Sequence, residues 1–278
     1  MTSNTTAPTQ FLRGRSETYA YRRFGSGPAH PLLFLQHFTG TLDNWDPAVT
    51  DPLAADREVI LFESAGLGRS SGTVPKTVSG MAAHALAFLD GLRLSTCDVL
   101  GFSLGGIIVQ ELLLAHPDLV TQAILMASRG RTDALRAALA TAESEFLDSG
   151  IVLPPRYAAC IRAMQYLSPE VLNDEQQITD WLDIFEIYPI DASIQNAQRG
   201  LDNIGNRLEE YRKIRAQCMI IAFGDDLMVP PYLCREVAES IPDCAYEVVA
   251  GCGHYGYLEK PELVNEIITR FFRASRAG

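Results

Sequence analysis

The chain has 278 residues, 47% of them apolar and 21% charged, with a net charge of −11. That length is enough for a well-buried core and fits a single α/β domain, although two smaller domains are allowed. The acidic balance repels a phosphate backbone and argues against nucleic acid as a partner.

The N-terminal stretch MTSNTTAPTQFLRGR has no apolar run of the kind that marks a secretory signal peptide. Its Thr-rich first dozen residues are expected to be loose. Glu17 to Gly25 (ETYAYRRFG) alternates like a half-exposed strand. Short continuous apolar runs follow at Pro31–His37, Glu58–Ser64, Cys97–Ser103, Val120–Ser128, Cys218–Gly224 and Ala245–Gly251. Runs of that kind suit strands buried on both faces of a parallel sheet. Helical patterns lie between them at Thr77–Leu92 and Leu104–Pro117. A last helix carries Val264, Ile267, Ile268, Phe271 and Phe272 on one stripe, better explained by docking on a sheet than by a membrane surface. No apolar run reaches the length of a membrane span. Strands alternating with helices predict a doubly wound, mostly parallel α/β sheet.

Arg131 to Asn206 breaks this rhythm. It shows helical stretches and no convincing strand, and it holds 12 acidic against 5 basic residues, a net of −7. The expected organisation is a core of residues 1–130 and 207–278 with a helical cap inserted at 131–206. The insert carries Leu153, Pro154, Tyr157, Trp181, Phe185 and Tyr188; Trp181 and Tyr157 are taken as candidate substrate contacts lining an enclosed, greasy pocket. Cys97, Cys160, Cys218, Cys234, Cys244 and Cys252 are scattered with no C-x-x-C, and are read as reduced thiols of a cytoplasmic protein.

The residues that carry chemistry begin at Gly101-Phe102-Ser103-Leu104-Gly105, a G-x-S-x-G pattern placed where a buried strand ends and a helix starts. Flanking glycines let the backbone turn sharply and lift a serine oxygen above the sheet. The helix N-terminus beneath it favours developing negative charge, and Leu104 N–H points the same way as an oxyanion donor. A serine hydroxyl needs a base. Of five histidines, His30 precedes Pro31 in a loop, His84 lies inside a helix, His116 ends one, and His37 closes the first of the apolar runs. His254 lies in a Gly-rich loop between the last strand and the last helix.

At this point the sequence resembles the α/β-hydrolase superfamily, over nearly the whole chain outside the insert. The resemblance implies a triad in the chain order serine, acid, histidine, and His254 occupies the place of that family's general base. After the strand ending at Gly224, FGDDLMVPP offers Asp225 and Asp226. The family's acid stands four residues before a proline, which selects Asp226 with Pro230; Asp225 then reads as a turn residue and Asp133 as an outsider. Family members often read H-G-F-x-G after the first buried strand. Here Gln36-His37-Phe38-Thr39-Gly40 stands instead, so Phe38 falls on the second oxyanion-donor position and a histidine replaces a glycine. The simpler expectation for His37 is that it points away and hydrogen-bonds locally; the sharper one is an extra donor or substrate contact beside the scissile carbonyl. Glu63 to Gly72 resembles a further family loop with a structural role. Neither a metal nor any cofactor is implied. The expected partner is a small-molecule substrate, without nucleic acid or membrane, and a homodimer is left open. The expected chemistry is hydrolysis of a carboxylic ester or lactone of a small, largely apolar molecule through Ser103, Asp226 and His254. C–C cleavage, perhydrolysis, acyl transfer and ligand reception remain as alternatives on the same fold.

Overall fold

In a computed structural model describing residues 2–201 and 203–274, the apolar runs become the centre of one eight-stranded sheet. Its strands are β1 (Gln10–Arg13), β2 (Thr18–Phe24), β3 (Leu32–Leu35), β4 (Val59–Phe62), β5 (Cys97–Phe102), β6 (Val120–Met126), β7 (Gln217–Phe223) and β8 (Cys244–Val249). They lie in the order β1-β2-β4-β3-β5-β6-β7-β8. The pairs β1–β2 and β2–β4 are antiparallel and all others parallel. β3, β4 and β5 are buried at every position, as two-faced burial of unbroken Val, Leu, Ile and Phe requires.

The two edges differ from the sequence expectation. Within the stretch expected to be loose, Gln10–Arg13 pairs with Thr18–Tyr21 as an edge strand, and buried Asn4 donates Nδ2–H to Trp45 O at 2.7 Å. Alternating half-buried and exposed positions in so short a strand leave little apolar signal to read. At the other edge β8 is only half covered, because a last strand has a neighbour on one side alone.

The helices are α1 (Pro47–Leu53), α2 (Val78–Gly91), α3 (Leu104–Ala115), α4 (Ala134–Ser149), α5 (Pro155–Tyr166), α6 (Pro169–Leu172), α7 (Glu175–Ile187), α8 (Ala192–Ala197), α9 (Leu208–Tyr211), α10 (Pro231–Ser240), α11 (Gly256–Glu259) and α12 (Pro261–Ala274). The apolar stripe of α12 is buried, as docking on the core predicts. Helices α4 to α8 all fall between β6 and β7. The chain leaves and re-enters the core at one neck: Arg207 N donates to Gly130 O at 2.8 Å, and Thr132 N to Ile204 O at 3.1 Å. Among the described residues no helix is long and apolar enough to cross a membrane. The six cysteines are free thiols.

One consequence positions the site. Parallel strands joined by right-handed crossovers gather their carboxyl ends on one edge. The segments after β3, β5, β6, β7 and β8 therefore converge there, and those segments hold His37, Ser103, Arg129, Asp226 and His254.

Candidate active site

Ser103 stands between β5 and α3 with φ 54° and ψ −117°, a left-handed conformation that a side chain rarely adopts. Packing imposes it. A Cβ on Gly101 would collide with the backbone of Gly105, and one on Gly105 with Leu35 O. The corner is pinned by Ser103 N to Met126 O and Gly106 N to Ser103 O, both at 2.9 Å. Strain held this way at a strand-to-helix turn is the signature of a nucleophile elbow.

Two further side chains meet the serine. His254 Nε2 lies 3.1 Å from Ser103 Oγ, and His254 Nδ1 lies 2.7 Å from Asp226 Oδ2. The other carboxylate oxygen, Oδ1, accepts Met228 N and Val229 N, each at 2.8 Å. Asp226 is thereby fixed on one side and offers its second oxygen to the ring. A carboxylate accepts only, so Nδ1 carries the proton and Nε2 presents a lone pair to the serine hydroxyl. Asp226 and His254 are both buried, which shields this chain of bonds from water.

The alternatives sit elsewhere. Asp225 is exposed in the turn after β7. Asp133 caps α4, accepting Arg136 N at 2.8 Å and Tyr232 OH at 2.6 Å. His84 faces Tyr19 OH at 2.6 Å, His30 faces Thr96 Oγ1 at 3.3 Å, and His116 closes α3.

Phe38 and Leu104 border the same cavity as Ser103, and among the described residues neither backbone N–H meets a protein acceptor. Unengaged backbone donors in one cavity with a serine hydroxyl are the kind of group that could meet an oxyanion. Their loop is tightly built: Gln36 Oε1 accepts His37 N at 2.8 Å, Gly40 N reaches His37 O at 3.0 Å, and Thr39 has φ 63°.

His37 takes a part from each reading of the sequence. It does bond locally, Nδ1 to Phe38 O at 2.6 Å, but it is not turned away; its ring stands 5.6 Å from that of Phe102 and borders the cavity. A carbonyl accepts, so Nδ1 holds the proton and the free Nε2 is an acceptor rather than an extra donor. Burial, with the nearby Arg162 and His254, lowers its pKa to about 3, so the ring stays neutral.

The cavity, about 760 Å³ including its open mouth, differs from the greasy enclosure expected. Ile107, Met228 and Val229 give it apolar lining, but Arg129, Arg136, Glu143 and Gln195 also border it. Tyr166 is the insert's aromatic contribution, stacked on Tyr255 at 4.9 Å. Trp181 is not in the lining; it packs 5.3 Å from Phe185 and 6.3 Å from Tyr255, behind the wall. Tyr157 is exposed on α5 and is not among the residues lining the cavity. The rule that parallel strands deliver side chains to the site from their carboxyl ends would have flagged Ser128 and Arg129 after β6. No local signal marks Arg136 or Tyr166, which arrive by helix packing. Glu63 is buried beside Gly68 and accepts Arg69 N at 2.7 Å and Leu42 N at 3.2 Å, a structural tie. Among the described residues, no cluster of His, Cys, Asp or Glu is placed to hold a metal.

Fold and elbow together define a class. A model of the alpha/beta hydrolase family matches residues 25–267, and the chain belongs to that family. It is 37% identical over 255 residues to a Mycobacterium tuberculosis protein provisionally named non-heme bromoperoxidase BpoC, covering 91% of this chain and 97% of that protein. It is 29% identical over 272 residues to an Azorhizobium caulinodans protein provisionally named carbamate hydrolase RutD, covering 94% and 97%. Among solved structures, Rv0554 from Mycobacterium tuberculosis superposes with a TM-score of 0.88 at 36% identity, over 95% of this chain and 99% of that one.

Proposed function

We propose that the protein is a serine hydrolase that cleaves a carboxylic ester or lactone of a small molecule through an acyl-enzyme. The observation that carries this reading is the unbroken relay from Asp226 Oδ2 through His254 to Ser103 Oγ, at 2.7 and 3.1 Å. In the mechanism, His254 Nε2 takes the Ser103 proton as Oγ attacks the carbonyl carbon. The negative charge that develops on the carbonyl oxygen is met by the N–H groups of Phe38 and Leu104. Asp226 stabilises the imidazolium. His254 then protonates the leaving alkoxide, and an activated water releases the acid and restores Ser103. Residues 131–206 act as a cap over a core of 1–130 and 207–278; the shared neck at Gly130 and Arg207 supports that division. The mixed lining favours a substrate with an apolar part, against Ile107, Met228 and Val229, and a polar part toward Gln195 and Glu143.

A second reading has one specific support, the bromoperoxidase name of the 37% relative. Hydrogen peroxide in place of water would release a peracid from the same acyl-enzyme, and the peracid would oxidise bromide to hypobromous acid, returning the carboxylic acid. The test of both is p-nitrophenyl ester turnover over an acyl chain-length series, wild type beside Ser103→Ala, repeated with peroxide and bromide. Ser103-dependent ester cleavage is the expected result. Equal rates for the two proteins would sink both readings.

A further inference from the structure

The oxyanion loop is held from outside itself by one side chain of the insert. Gln198, directly after α8, is fully buried, and its Oε1 accepts the Thr39 N–H at 2.6 Å across 159 residues of sequence. The atom assignment is unambiguous, since a backbone N–H can meet only the oxygen of the amide. Thr39 is the residue immediately after Phe38, and its φ of 63° is a conformation that a threonine leaves unless something holds it there. The direction of the Phe38 N–H depends on the peptide planes on either side of it. Gln198 itself sits at the C-cap of α8, with Arg199 beside it bonded to Asp148 of α4 at 2.7 Å.

We propose that Gln198 is a positioning residue for the oxyanion hole, making the alignment of the Phe38 amide depend on the seating of the insert over the core. It touches neither substrate nor nucleophile and acts through Thr39. This rests on the hydrolase reading above. When α8 is seated, Thr39 is held left-handed and both donors converge above Ser103. When it lifts, Thr39 relaxes and one donor is lost while the triad stays intact. Loss of one donor weakens transition-state stabilisation more than ground-state binding, so the signature is a fall in kcat at nearly constant KM.

The experiment compares wild type with Gln198→Met, which keeps the length but has no acceptor, and Gln198→Glu, which keeps the oxygen. Covalent labelling by a fluorophosphonate comes first: label that requires Ser103 supports the hydrolase reading, and no label overturns that reading and this proposal together. With labelling established, p-nitrophenyl butyrate kinetics decide on Gln198. We expect kcat of Q198M to fall roughly 10- to 100-fold, less than full removal of a donor, with KM within about twofold. Q198E is expected within about threefold of wild type, because the acceptor survives. Should Q198M lose its cooperative melt, Gln198→Asn takes its place, the same amide one methylene too short to reach. Unchanged kcat in Q198M, an equal loss in Q198M and Q198E, or a loss confined to KM would each overturn the proposal.

Discussion

Helix α3, beneath the nucleophile, and helix α4, in the wall above it, face the same cavity but are built by different physics. Nine of the twelve residues of α3 are buried, including Ile107, Ile108, Val109, Leu112 and Leu113. Burying each such side chain contributes roughly 1.5–3 kcal/mol relative to leaving it exposed. Of sixteen residues in α4, Arg136 alone is buried. Elsewhere in the insert Leu167, Val171, Phe185 and Leu201 are buried in the core, its helices are tied to one another by polar contacts such as Arg199 to Asp148 at 2.7 Å, and Tyr166 stacks on Tyr255 of the core. Exposed pairs of that kind are screened by salt and easily re-formed. The contrast separates two tasks. In the proposed reaction, the groups that make and break bonds stand on strands and turns that cannot shift without a clash, whereas the groups proposed to select the substrate stand on sparsely buried helices.

The largest expected effect falls on the rigid side. Ser103→Ala should lower ester turnover by about 10³- to 10⁶-fold, with His254→Ala comparable and the double variant no worse, because the residues act as a unit. Additive losses in the double variant would mean that the two side chains do not share one step. Asp226→Asn should follow at about 10⁴-fold, through loss of the tautomer-fixing acceptor, while Asp225→Asn leaves kcat unchanged. If the Asp225 variant is the crippled one, the acid assignment is wrong.

Stability measurements sharpen the same comparison. Gly105→Ala would drive a methyl into Leu35 O and is expected to cost several kcal/mol in urea unfolding, or to prevent folding altogether. Gly150→Ala, at the left-handed C-cap of α4 with open space around it, should cost only about 1–2 kcal/mol. Similar costs at the two positions would erase the distinction between frame and wall.

A smaller effect is expected from pH. His37 has its pKa lowered from 6.5 to about 3 by burial, so below 6.5 the unfolded chain takes up a proton that the folded protein refuses. Stability from this residue is therefore full above pH 6.5 and declines as pH falls toward 3. Thermal melts of His37→Gln across that window should show a shallower decline than wild type. The smallest effect belongs to exposed Tyr157: replacement by alanine should change neither KM nor stability beyond about 0.5 kcal/mol. A large KM change there would require an insert conformation different from this one.

What could be read from the chain alone follows from locality. Unbroken apolar runs ending in glycine specify buried parallel strands, and a serine between two glycines at a strand end specifies the elbow, because both depend on neighbouring residues. The positions of Asp226 and His254 after the last two apolar runs were legible for the same reason, with the family resemblance choosing Asp226 over Asp225. Two local readings failed where burial was marginal or shared. The edge strand Gln10–Arg13 has too little apolar pattern to announce itself, and Trp181 and Tyr157 look alike in sequence whether they line a cavity, pack behind it or face water. Tertiary structure alone decided that Arg136 and Tyr166 reach the cavity, that His37 turns its ring toward it, and that Gln198 holds Thr39. The physical reason is that side chains on a polar, sparsely buried insert are placed by contacts with distant parts of the chain. Local pattern carries no trace of a partner 159 residues away.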